Sequence, residues 1–212
     1  MSGFFLVFEG VEGSGKTLQL ELLARHLRER GIEPLVTREP GGTRLGEGIR
    51  GLLLKDGDPS PQAELFLYLA DRAQHVKEVI RPALREGRIV LCDRYYPSTL
   101  AYQGYARGLD LNFVEKANDV ATGGLKPHMV VLLDLPVEVA LKRIRGRSLD
   151  RMEQEAFSFH EKVRMGFLAQ VQREPGLFHI INGTKRPEEV FQEVLECIGA
   201  RFPKKAPLLR GE

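Results

Sequence analysis

Residues 10–17 read Gly-Val-Glu-Gly-Ser-Gly-Lys-Thr, and they follow an apolar run from Phe4 to Phe8. Glycines at this spacing let successive backbone N–H groups converge on phosphate oxygens. Lys16 can then reach the β- and γ-phosphates of a nucleoside triphosphate, and the Thr17 hydroxyl can ligate Mg²⁺. Gly10, Val11, Glu12, Gly13, Ser14, Gly15, Lys16 and Thr17 are thus candidate triphosphate ligands, with a helix N-terminus adding positive potential beneath them. A second group stands at Asp93 and Arg94, inside the run Leu-Cys-Asp-Arg-Tyr-Tyr-Pro-Ser-Thr-Leu-Ala-Tyr-Gln over residues 91–103. Asp and Arg are seldom buried unless paired. Asp93 can hold a metal-bound water, and Arg94 can clamp a phosphate in fork geometry. From these two residues alone, a salt bridge closing a strand end reads equally well.

The elements that must carry these residues alternate in type. Strand-like runs fall at residues 4–9, 34–38, 88–92, 129–135 and 178–181. The third and fourth are apolar almost throughout, as strands covered on both faces are. Helical periodicity runs over residues 16–30, with Leu20, Leu23, Ala24 and Leu27 on one face and Gly31 as the stop. A long helical region spans 64–86, with Pro82 set to kink or divide it; a last helix covers 188–198. This order predicts an α/β fold: a five-stranded parallel sheet with helices on both faces. Ligands of such sheets gather at the carboxyl ends of the strands. Glu9, Arg38, Asp93, Asp134 and Asn182 lie at those ends.

Four segments together resemble the thymidylate kinase family, in its bacterial form. They are residues 8–17, the Thr-Arg-Glu-Pro-Gly-Gly-Thr of 37–43, the Ala-Asp-Arg-Ala-Gln-His of 70–75, and the 93–103 run. The resemblance extends to about residue 170. It implies the P-loop nucleoside monophosphate kinase fold, with a short lid at about residues 142–153. It also implies transfer of the γ-phosphoryl of ATP to dTMP with Mg²⁺, and a homodimer. On this resemblance Glu12 approaches the 3′-hydroxyl of the acceptor sugar, and Arg38 and Arg94 hold its phosphate. Arg50 lines the same pocket, or is a surface arginine. Arg72 bonds a ring carbonyl of thymine. Four residues before it the family usually has a stacking phenylalanine. Here that position is Tyr68, with Phe66 nearby as the other ring and more simply read as core. Thr99 and Gln103 meet the base edge, and Tyr102 crowds the sugar 2′ position. The loop from Gly10 to Gly15 has no arginine, so the resemblance assigns catalytic cations to the lid, as Arg147 and Arg151, beside Lys16 and Arg94. Arg143 and Asn182 flank adenine. Thr17, with Asp93 through water, holds the metal.

With 212 residues and a formal net charge of +2, the chain suits one domain over 1–212 and shows no field that demands nucleic acid. A tail at about 203–212 is expected to be loose. Two cysteines, Cys92 and Cys197, fit neither a zinc site nor a disulfide framework. No leader segment or membrane span is expected, which makes the cytoplasm the default location. Three other functions share the phosphate loop. Another nucleoside or nucleotide kinase differs in the acceptor pocket. A guanine-nucleotide switch usually carries Asn-Lys-x-Asp, which does not occur in the sequence. A nucleic-acid ATPase has only the basic stretch at 142–151 and the tail in its favour.

Overall fold

The computed structural model describes residues 3–146 and 148–201. Strands β1 (Phe4–Glu9), β2 (Leu35–Arg38), β3 (Ile89–Asp93), β4 (Met129–Asp134) and β5 (Phe178–Asn182) form one parallel sheet in the order β2-β3-β1-β4-β5. All six residues of β1 are buried, because it lies at the centre with layers on both faces. Side-chain alternation splits β1, β3, β4 and β5 between two cores. Phe4, Leu6 and Phe8 join Leu91, Met129, Val131 and Leu133 on one face. Phe5 and Val7 join Val90, Cys92, Val130 and Leu132 on the other.

Two helices cover the first face, α1 (Lys16–Arg28) and α9 (Pro187–Arg201). Helix α1 buries Leu20, Leu23, Ala24 and Leu27, the face its spacing predicts. Gly31, at φ +74°, ends the turn by donating to the Arg28 carbonyl at 2.9 Å. The helix therefore stops two residues short of the expected 30.

The opposite face is more crowded. Helix α2 (Arg44–Gly51) leads to α3 (Pro61–His75). The wide turn Val76–Ile80 follows, then α4 (Arg81–Arg85). Pro82 has no N–H to give to residue 78, and the backbone widens just before it, so the expected division falls there. Next come α5 (Tyr96–Thr99), continued by the wide helical segment Leu100–Ala106, then α6 (Leu111–Thr122), α7 (Val137–Ile144) and α8 (Phe157–Arg173). The helices at 96–106, 111–122 and 157–173 are absent from the sequence expectation. Their buried faces explain why. Helix α6 buries Val114, Asn118 and Thr122, and α8 mixes Phe159, Val163 and Phe167 with buried His160 and Gln170. Polar residues on the inner face mute the periodic signal.

The strands end at Glu9, Arg38, Asp93, Asp134 and Asn182, all on one rim. The segment expected as the lid begins in the last turn of α7 and ends before α8. The tail at 203–212 lies outside the described residues.

Candidate active site

The loop after β1 turns onto α1 through glycines that no other residue replaces freely. Gly13 sits at φ +76°, and a Cβ there would lie 2.2 Å from the Ala140 carbonyl of α7. Gly15, at φ +97°, caps α1. Lys16 is buried, and its ammonium donates to the carbonyls of Gly10 and Val11 at 3.1 and 3.0 Å. Burial lowers its pKa, with Arg94 adding to the effect and Glu12 and Asp93 opposing it. Thr17 donates its hydroxyl to Asp93 at 2.6 Å, which brings the two expected metal residues into contact. No group of three or more acidic, histidine or cysteine side chains is placed to hold a metal ion among the described residues. A hydroxyl beside one carboxylate fits Mg²⁺, which keeps waters and phosphate oxygens for most of its shell.

Arg94 follows β3 at φ +71°, a left-handed conformation that costs a non-glycine residue about 1–3 kcal/mol. Its guanidinium donates to the Gly10 carbonyl at 3.2 Å, the Ser98 hydroxyl at 3.0 Å and the Tyr102 hydroxyl at 3.1 Å, and pairs with Glu12. Beneath it Glu9 is fully buried and accepts from the backbone N–H groups of Tyr95 and Ser98 and from the Ser98 hydroxyl. These bonds fix the turn that carries Arg94. Burial lifts the Glu9 pKa to about 6 despite the pull of Arg94. Glu12 goes the other way. Burial opposes its charge, but Arg94 and Lys16 outweigh that and bring it to about 2.

Glu12, Gly13, Ser14, Gly15, Lys16, Thr17, Arg38, Arg50, Tyr68, Arg72, Asp93, Arg94, Thr99, Tyr102, Gln103 and Arg143 all line one cavity of about 720 Å³; the expected ligands Gly10 and Val11 do not, and their carbonyls hold Lys16 instead. Arg72 is buried, and its guanidinium is largely committed. Nε donates to Glu39 at 2.8 Å, and Nη1 donates to Thr99 and Asn118 at 2.6 Å each. That leaves Nη2 as the donor for a ligand. Glu39 also meets His75 at 2.9 Å, and Thr37 meets the other ring nitrogen of His75 at 2.7 Å. Arg38 pairs with Glu47 at 2.9 Å, and Arg50 donates to the Pro40 carbonyl at 2.9 Å. Asp71 accepts from the Gly41 N–H at 3.0 Å and so anchors the glycine turn between them. Burial, reinforced by Glu39, raises Asp71 to about 6.

Tyr68 faces the cavity, whereas Phe66 is 55 % exposed and meets Phe113 edge to face at 6.5 Å. Reading Phe66 as a core ring was therefore wrong. Two residues apart on α3, the two rings point to different sides, one to the cavity and one outward.

At the other end Arg143 donates to the Gly183 carbonyl at 2.8 Å. The Asn182 side-chain oxygen accepts from the N–H and hydroxyl of Thr184 and so holds its own turn; Gly183 and Lys185 line the cavity instead. Arg147 lies outside the described residues. Arg151 is not among the cavity-lining residues: it donates to the Leu53 carbonyl at 2.8 Å and pairs with the buried Glu64. Asp134 holds Arg164 in a two-bond fork at 2.7 and 2.9 Å, which consumes that strand end.

Sequence reasoning gave no role to Glu9, Glu39, Glu64, His75 or Asn118. For two of them a signal existed. Glu64 and His75 recur at helical spacing with Tyr68 and Arg72, and such a polar stripe marks a buried polar face.

A P-loop on a parallel α/β sheet, facing an arginine-lined acceptor chamber across one cavity, defines a phosphotransferase of the nucleoside monophosphate kinase type. The family model described as thymidylate kinase matches residues 8–194. A thymidylate kinase of Carboxydothermus hydrogenoformans is 53 % identical over 92 % of this chain and 96 % of its own length. One of Desulfovibrio desulfuricans is 50 % identical over 92 % and 94 %. The crystal structure of the Ehrlichia chaffeensis thymidylate kinase superposes with a TM-score of 0.78 at 31 % identity, covering 93 % of this chain and all of that one. The chain belongs to the thymidylate kinase family. Its activity is accordingly ATP-dependent phosphorylation of dTMP to dTDP.

Proposed function

We propose that the chain aligns two anionic phosphates by charge compensation rather than by acid–base chemistry. The acceptor is a phosphate oxygen that is already anionic, so no strong general base is required. Lys16 and the loop N–H groups bind the β- and γ-phosphates of ATP. Arg94 and Arg38 hold the acceptor phosphate, and Arg50 borders it. The observation that carries this reading is the position of Arg94. It hydrogen-bonds a carbonyl of the triphosphate loop and lines the acceptor chamber, so one cation bridges donor and acceptor. The strain of its backbone fits a residue held for function.

Glu12 accepts from Arg94 and from the Tyr102 hydroxyl and orients toward the acceptor sugar; Tyr102 crowds the 2′ position. Tyr68 stacks on the base, Arg72 donates to a ring carbonyl, and Thr99 and Gln103 border the base edge. Arg143 stacks on adenine, with the turn at Asn182 on its other side. Thr17 and Asp93 would hold Mg²⁺, which when bound neutralises phosphate charge and orients the transferring group. Arg147 and Arg151 belong to a lid over about residues 142–153. Arg151 reaches the phosphates only after leaving Glu64, so closure involves a rearrangement at 150–155.

A homodimer is proposed with the same reading. Its support is apolar surface on α3 and α6, where Phe66, Phe113 and Val120 are 55 %, 49 % and 84 % exposed. The reducing cytoplasm suits two buried free thiols, Cys92 and Cys197. The test is coupled ADP release with dTMP, dUMP, UMP, CMP and thymidine as acceptors. Preferred turnover of thymidine or a ribonucleotide would overturn the assignment of the acceptor pocket.

A further inference from the structure

Glu64 is a fully buried carboxylate outside the reacting groups, and it is unusually well supplied with donors. Gln103 Nε2 donates to one oxygen at 2.7 Å. Arg107 donates to both oxygens at 3.1 Å, and Arg151 pairs with the second. Arg107 is held in turn by Glu155 and lies 4.5 Å from the Phe159 ring centroid. With two guanidiniums in contact the carboxylate stays ionised. Burial alone would raise its pKa, but the bonds from Arg107, Arg151 and Gln103 lower it.

An ionised carboxylate only accepts hydrogen bonds. The amide of Gln103 must therefore turn its nitrogen to Glu64. Gln103 is buried yet lines the cavity, so its carbonyl oxygen is the group it offers there. A glutamine free to flip can offer either a donor or an acceptor; this one is fixed as an acceptor. On the same helical stretch, one turn earlier, Thr99 anchors Nη1 of Arg72, whose Nη2 is the remaining donor. The wall thus presents one donor and one acceptor in a set order.

We propose that Glu64 is a positioning residue for pyrimidine specificity: by fixing the Gln103 amide, it makes the acceptor pocket complementary to a base with N3–H beside a carbonyl. Thymine and uracil have that pattern. Cytosine has the reverse, an unprotonated N3 beside an amino group, and meets a buried donor with a donor and a buried acceptor with an acceptor. Mismatch of this kind rejects an analogue far more strongly than a missing methyl does. The role rests on the reading of this cavity as the dTMP pocket.

The experiment measures kcat/KM for dTMP and dCMP in wild type, Glu64→Gln, Gln103→Leu and the double variant. A glutamine at 64 can donate as well as accept, so the Gln103 amide can flip. The dTMP-to-dCMP discrimination is expected to fall about tenfold or more in Glu64→Gln, and to change no further when Glu64→Gln is added to Gln103→Leu. An active Glu64→Gln enzyme with wild-type discrimination would overturn the proposal. So would an equal effect in the Gln103→Leu background, which would mean that Glu64 acts by another route. Side-chain NMR of the wild-type protein removes dependence on the folding of Glu64→Gln. The Gln103 NH₂ protons, assigned by their loss in Gln103→Leu, are expected to stay protected from exchange with and without dTMP. Loss of protection on binding dTMP counts against the proposal. Wild-type turnover keeps the two readings apart: no activity on dTMP refutes the pocket assignment, whereas retained discrimination in an active variant refutes only the role of Glu64.

Discussion

Replacing Glu39 by alanine tests whether the acceptor wall is held by charge. Glu39 and Arg72 have side chains 1 % and 2 % exposed and meet at 2.8 Å. Glu39 also meets His75 at 2.9 Å. Its removal leaves the Arg72 guanidinium with Thr99 and Asn118, both neutral, and leaves His75 without its carboxylate. Breaking a buried pair by deleting one member costs about 3–5 kcal/mol, because the other charge stays desolvated. Asp71 offsets part of this. Its carboxyl is repelled by Glu39 and attracted by Arg72 and His75, so without Glu39 the repulsion is relieved and a carboxylate near both cations remains. The lower half of the range is therefore expected. For a domain of this size each kcal/mol shifts Tm by about 2–4 °C, so Glu39→Ala should lower Tm by about 6–16 °C. Arg72, which lines the cavity, also loses the partner that fixes its Nε, and KM for dTMP should rise about tenfold or more. Glu39→Gln keeps one acceptor and should fall between the two enzymes on both measures. Calorimetry and initial rates read the outcome. A Tm within 3 °C of the parent, together with an unchanged KM, would refute the view that this pair holds the wall.

Three further outcomes follow from the same geometry. Lys16→Met should abolish turnover while leaving dTMP affinity in calorimetric titration nearly unchanged; near-normal turnover would refute the charge-compensation mechanism. Tyr68→Ala should weaken dTMP binding more than Phe66→Ala, since only Tyr68 lines the cavity; the opposite order of Kd values would show that the stacking ring is misassigned. Glu9 has a folded pKa of about 6 against an ordinary 4.5, so the folded state binds its proton more tightly. Stability should therefore fall by about 2 kcal/mol as pH rises through that window. Asp71 adds to the slope, and Glu9→Gln should reduce it by about half; an unchanged pH profile of urea midpoints would count against the burial of that carboxyl.

The strands and the first helix are legible because their signals are local. An apolar hexapeptide before a glycine loop reads as a buried strand, and Leu20, Leu23, Ala24 and Leu27 read as one helix face from spacing alone. The glycine loop carries its chemistry in its own backbone, so its ligands can be named without the fold. The family segments extend this to most of the cavity, and Arg38, Arg50, Tyr68, Arg72, Thr99, Tyr102 and Gln103 do meet there. Helices α6 and α8 escape notice because they bury polar residues, among them Asn118 and Gln170, whose partners Arg72 and the Pro97 carbonyl lie far along the chain.

What the sequence by itself determined is the order of elements, the phosphate loop and the list of residue types around the acceptor. What only the tertiary structure decided is direction and partnership. Tyr68 turns inward and Phe66 outward. The Asn182 side-chain oxygen holds its own turn, and Arg151 rests on Glu64. The carboxylates Glu9, Glu39 and Glu64 set the orientation of Arg94's turn, Arg72 and Gln103. A hydrogen bond between residues tens of positions apart leaves no local periodicity, so its existence is fixed only when folding brings donor and acceptor together in a buried place where neither can be left unpaired.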